Sequence, residues 1–134
     1  MTHLLDTCVC IFLIRTKAVS VKERFDVLQI GDLGVSAITA AELRFGAEKS
    51  ADPPKNHRQL DHFFLTLPIL PFEEEATRHY GEIRAFLEEA GTTIGSHDLL
   101  IAAHGRSLGL TVVTHNQREF QRVPGLKVED WYTQ

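Results

Sequence analysis

Leu110-Thr111-Val112-Val113-Thr114 stands one glycine after the segment Ser96 to Leu108, and this helix-then-strand pairing decides the fold. The five residues are β-branched or apolar almost throughout, as in a strand buried on both faces. The preceding segment reads as a helix, with Ser96 as its cap and Gly109 as its stop. Downstream, Gln117 to Gln121 is a short helical piece and Leu126 to Glu129 a last edge strand. Upstream, Gly91 to Gly95 is a glycine-bracketed loop. Glu73 to Ala90 is a long amphipathic helix, acidic at its start as the helix dipole prefers.

The same alternation continues towards the start of the chain. Pro68 to Phe72 is short, apolar and proline-flanked, an edge strand. His57 to Leu67 carries Leu60, Phe63, Phe64 and Leu67 at helical spacing, either core or a dimer face. Thr39 to Lys49 is a helix ended by Ser50 to Pro54, whose two prolines mark a loop and the first turn of the next helix. Leu33 to Ser36 is a weaker strand. Val19 to Ile30 shows a helical stripe of Val21, Phe25 and Leu28. His3-Leu4-Leu5 reads as a buried strand ending at Asp6, with Thr7 capping an apolar helix from Val9 to Ile14. Strands alternating with helices imply an α/β fold, a mainly parallel sheet covered on both faces.

The 134 residues suit a single domain, 1–134. Apolar residues at 43% and charged residues at 24% supply an ordinary core without staples. A net charge of -4 argues against a protein that grips nucleic acid through a broad basic face. It leaves room for a nuclease whose acids are balanced by a cation. Cys8 and Cys10, in an apolar run and without partners for a zinc cage, read as buried reduced thiols. That run is too short to span a bilayer and follows Asp6 rather than a basic stretch, so no membrane association and a cytoplasmic setting are expected.

Ligands of open parallel sheets bind beyond the carboxyl ends of the strands. Asp6, Glu42, Asp98, and Asn116 with Glu119 all fall at such junctions. Each has a plain structural reading. Thr39 to Glu42 spells a capping box, and Asp98 suits a helix N-terminus. Together they say more. Asp6 lies between apolar runs, where a lone carboxylate is costly unless paired or bound to metal. No lysine or arginine lies within four residues of Asp98. Acids gathered without cations raise one another's pKa, and a divalent ion resolves the repulsion. Hard oxygen ligands favour Mg²⁺ or Mn²⁺ over zinc, and such a site suits phosphodiester hydrolysis.

Leu4-Leu5-Asp6-Thr7, Ser36 to Glu42 with Leu43 and Gly46, Gly95-Ser96-His97-Asp98 with Ile101-Ala102, and Val113-Thr114-His115-Asn116 with Glu119-Phe120 together resemble the PIN-domain ribonucleases. The nearer resemblance is to the VapC-type toxins of bacterial toxin-antitoxin pairs. The tail from Val123-Pro124-Gly125-Leu126 to Asp130-Trp131 also looks like that family. The resemblance implies a three-layer α/β/α sandwich and a Mg²⁺- or Mn²⁺-dependent endoribonuclease. Asp6 and Asp98 would be its main metal ligands, completed by Glu42. It further implies a homodimer, a cognate VapB-type antitoxin and an RNA substrate, with tRNA the expected target. Cys8 stands where the family often has asparagine or serine, and Asn116 where a fourth acid is often found. Glu119 either supplies that missing carboxylate or faces solvent.

Seven histidines include no His-x-x-x-His pair, which argues against zinc. His97 and His115 flank the expected site. Arg44, Lys49, Lys55 and Arg58 form one basic group and Arg106, Arg118 and Arg122 another; each either holds phosphates or is a solvated face. Two other functions fit the bare residues. An aspartate-nucleophile phosphatase would use Asp6, although Cys8 replaces its usual second aspartate. A catalytically silent partner-binding module would suit the acidic charge.

Overall fold

Five parallel strands in the order β3-β2-β1-β4-β5 form one sheet between two layers of helices. The computed structural model describes residues 1–15 and 31–131; the helix expected over Val19 to Ile30 lies outside them. The central strand β1 is His3–Leu5. In register, Leu5 stands beside Val35 of β2 (Leu33–Ser36) and Val113 of β4 (Thr111–Val113). The edges are β3 (Ile69–Leu70) and β5 (Val128–Glu129), as the proline-flanked and C-terminal strands suggested.

Strand residues alternate between faces, and this divides the core. Leu5, Val35 and Val113 pack with Val9, Cys10, Leu43 and Leu60, under α1 (Thr7–Arg15), α2 (Ala37–Glu48) and α3 (Pro53–Phe63). Leu4 and Val112 pack with Ile83, Leu87, Ile101 and Ala102, under α4 (Glu74–Ala90) and α5 (Ser96–Ser107). A short helix, α6 (Gln117–Phe120), follows β4. The result is the three-layer sandwich.

The turn from α5 into β4 explains why the pair reads so clearly. Gly109 takes the left-handed conformation at φ +67°. The Leu110 amide donates to the Gly105 carbonyl at 2.9 Å and the Gly109 amide to Arg106 at 3.2 Å, a Schellman close. Gly105 itself lies flat on β4. A Cβ there would stand 2.6 Å from Cγ2 of buried Val112, so only glycine fits.

Several helix starts differ from the sequence reading. Asp6, not Thr7, precedes α1, and its Oδ1 accepts the Thr7 amide at 2.7 Å. Helix α2 begins at Ala37, where the Ser36 hydroxyl accepts the Ile38 amide at 3.1 Å. Thr39 and Glu42 therefore form no capping box, and Glu42 sits in the second turn. Gly95 rather than Ser96 caps α5. The double proline does form the first turn of α3, as expected, with Asp52 as cap. Asp6 and Ser36 each supply their cap at the place where a strand closes.

Candidate active site

Asp6 leaves the carboxyl end of the central strand and its amide donates to the Val113 carbonyl at 2.8 Å, which pins it at the β1–β4 seam. The residue is only 4% exposed. The Thr114 hydroxyl donates to its Oδ2 at 2.7 Å, and the Cys8 thiol lies 3.6 Å from the same oxygen. Burial raises its pKa, the hydrogen bonds of Thr114 and Thr7 oppose that, and the charge of Glu42 adds to it. Thr114, itself wholly buried, also accepts the Asn116 amide at 2.9 Å. One hydroxyl thus joins the first strand's aspartate to the start of α6.

Asn116 carries the arrangement further. Its Nδ2 donates to Asp98 Oδ2 at 2.9 Å and to Glu119 Oε2 at 3.0 Å. The Gly95 amide reaches Glu119 Oε2 at 3.5 Å. Asp98 and Glu119 thus crowd on one amide, and carboxylates so placed favour a proton between them, with Asp98 the one whose pKa rises. Burial, contact with Glu119 and the charge of Asp6 push its pKa up to about 7. Glu119 is held below its usual value by Asp98.

Glu42 stands apart from this pair. Its Oε1 accepts the Thr7 hydroxyl at 2.9 Å and its Oε2 lies 3.1 Å from Nδ1 of His97. The structure therefore couples Asp6 electrostatically to both Asp98 and Glu42. It places Asp98, Asn116 and Glu119 in direct contact. Among the described residues, no three His, Cys, Asp or Glu side chains converge on one point as they stand. His115 turns to Asp130 at 3.3 Å.

The donors nonetheless suit a hard divalent cation. They are carboxylate oxygens with one amide and hydroxyl supports. Among the described residues no arginine or lysine forms an ion pair with Asp6, Asp98 or Glu119. The crowding of Asp98 and Glu119 on one amide marks where positive charge is needed.

Sequence reasoning missed Thr114 as the hinge of the network, and Thr7 and His97 as partners of Glu42. A signal for Thr114 existed: a hydroxyl at the end of an otherwise apolar buried strand must find a partner. Cys10 is the buried thiol expected, whereas Cys8 is half-buried against Asp6.

Comparison with known proteins agrees with this architecture. The family model described as PIN domain matches residues 3–126. The chain is 45% identical to the tRNA(fMet)-specific endonuclease VapC of Shigella flexneri, with 98% of each chain covered. It is 40% identical to Ribonuclease VapC2 of Haemophilus influenzae, again over 98% of both. Among solved structures, DNA-bound VapBC from Salmonella typhimurium superposes with a TM-score of 0.92 at 43% identity, covering 98% of each chain. VapBC2 of Rickettsia felis, bound to a promoter DNA fragment, gives 0.91 at 37% identity, covering 98% of this chain and 99% of that one.

Proposed function

The chain belongs to the PIN-domain family, in its VapC ribonuclease branch, and from that premise we propose its reaction, substrate and partners. It is a divalent-cation-dependent endoribonuclease, the toxin of a VapBC-type pair. The observation that carries this is that one Asn116 amide holds the carboxylates of Asp98 and Glu119 together beside buried Asp6, at the carboxyl edge of a parallel sheet.

Asp6 and Asp98 would hold a Mg²⁺ or Mn²⁺ ion, with Glu42 completing the set. When bound, such an ion lowers the pKa of a water and offsets charge on the phosphate. The chain's own work is positioning. Thr114 and the Thr7 amide fix the two oxygens of Asp6. Asn116 holds Asp98 and Glu119 at one spacing without adding charge. Thr7 and His97 orient Glu42. Glu119 serves as the fourth acid.

The substrate is tRNA, with tRNA(fMet), named for the Shigella relative, as the first candidate. A VapB-type antitoxin covers the site, and the toxin is a homodimer working in the cytoplasm. Among the described residues no helix is long and apolar enough to cross a membrane. The test is cleavage of purified tRNA(fMet) with Mn²⁺, with EDTA, and by Asp98→Asn. Discrete fragments should appear only with wild type and metal. Equal cleavage by Asp98→Asn, or in EDTA, would overturn the reading.

A further inference from the structure

An acidic enzyme that cuts a polyanion needs cations somewhere beside its carboxylates, and among the described residues most basic side chains are already engaged. Arg44 reaches Asp61 at 2.6 Å and His57 at 3.1 Å. Lys49 lies over the Phe45 ring. Arg106 is tied to Glu82, His79 and the Pro124 carbonyl, and Arg122 to the Thr93 carbonyl. Lys55 and Arg58 differ. Both are exposed, and among the described residues neither side chain has a hydrogen bond or ion pair; Arg118 and Lys127 share that state but line neither hollow described next.

Their position gives this meaning. Lys55, Arg58, Gln59 and His62 recur at helical spacing and form one stripe of α3. That stripe faces Leu13 and Ile14 of α1 across a hollow of about 500 Å³. A second hollow of about 530 Å³ shares Ile14 and Gln59 with it and reaches Thr7 and Glu42. The two adjoin and together form a groove leading from these cations to Thr7 and Glu42, the acid at one edge of the proposed site. Among the described residues lining it, Glu42 is the only carboxylate, against Lys55, Arg58 and Arg15.

We propose that this groove between α1 and α3 is the track on which the substrate RNA lies, with Lys55 and Arg58 holding phosphates on one side of the cut. The inference rests on the ribonuclease reading above. Its argument is charge and continuity. A groove that ends at Glu42 and Thr7 must carry whatever chain is cut there. Two unopposed cations on its wall suit a phosphate backbone. Its apolar floor and the Asn56 and Gln59 amides would face sugars and bases.

The experiment uses fluorescein-labelled tRNA(fMet) and a Lys55→Glu/Arg58→Glu variant, with Lys49→Glu as a cation outside the groove. Binding is read by anisotropy in an Asp98→Asn background, cleavage in the active protein. The double variant should weaken binding at least about tenfold and flatten the slope of log K against log salt by about 1.4, two contacts at single-strand weighting. The loss should fall on KM rather than kcat. Lys49→Glu should change binding by less than about twofold. Wild type that cuts no RNA would defeat the ribonuclease reading itself. Wild type that cuts, with the double variant matching Lys49→Glu, would overturn only the groove. So would a double variant that binds RNA normally but no longer binds the antitoxin, which would assign the groove to a protein.

Discussion

Two groups of acids on the helices of this chain meet opposite fates. On the outer face of α2 and α3, Asp61 accepts from Arg44 and Glu48 from His57, and on α4 Glu82 accepts from Arg106. At the carboxyl edge of the sheet, Asp98 meets another acid and an amide, and Asp6 meets the Thr114 hydroxyl, the Thr7 amide and the Cys8 thiol. The first group is electrostatically complete. The second carries unbalanced negative charge that the fold has buried, and burial of that kind is tolerated where a cation or substrate completes it. Acids answered by arginine describe a surface; acids answered by acids describe a site.

Breaking the second group should have the largest effect. Asp98→Asn is expected to lower RNA cleavage by at least about 10³-fold with the circular dichroism spectrum unchanged. Asp61→Asn should leave cleavage within about twofold, and parity between the two would erase the distinction. Asn116→Ala removes the amide that spaces two carboxylates. A loss of about 10- to 100-fold in kcat/KM is expected, accompanied by weaker Mn²⁺ binding in a titration.

The platform under the site can be tested without touching an acid. Gly105→Ala drives a methyl into Val112, which is buried and stiff. A destabilisation of about 1–3 kcal/mol is expected in urea unfolding.

The unbalanced charge should also show in pH. Asp98, pushed up to about 7, holds its proton well above the usual carboxylate value of 3.8, and burial moves Asp6 the same way. Between those pH values the folded chain therefore binds more protons than the unfolded one. Stability then falls as pH rises from about 4 to about 7 and levels off above. In EDTA, Tm should drop by at least about 3 °C between pH 5 and pH 8, and saturating Mn²⁺ should reverse the drop. A flat profile would show that the strand-end acids are already compensated. Smallest of all, Arg44→Ala should cost about 0.2–1 kcal/mol in the same unfolding assay, as exposed pairs do.

The alternation of apolar strands and amphipathic helices was readable because both faces of the sheet are covered, leaving β1 and β4 polar only at their first residues, His3 and Thr111. Helix starts were less legible. Capping is decided by which hydroxyl or carboxylate the backbone presents, and Ser36 and Asp6 cap while also ending strands. The strand-end acids could be named from their junctions. Their contacts could not, because Asn116 bridging Asp98 and Glu119 depends on how a four-residue helix sits against α5. The sorting of cations lay further still from the sequence. Arg44 and Arg58 look alike in the chain, and only tertiary packing gives one an aspartate and leaves the other facing a groove.

The account stands on the proton held between Asp98 and Glu119 marking the place of a cation. Calorimetric titration with Mn²⁺ at pH 6, repeated in buffers of different ionisation enthalpy, counts the protons released per ion. Release of close to one proton by wild type, lost in Asp98→Asn, is the predicted result. Binding with no proton release, or the same release from both proteins, would contradict it.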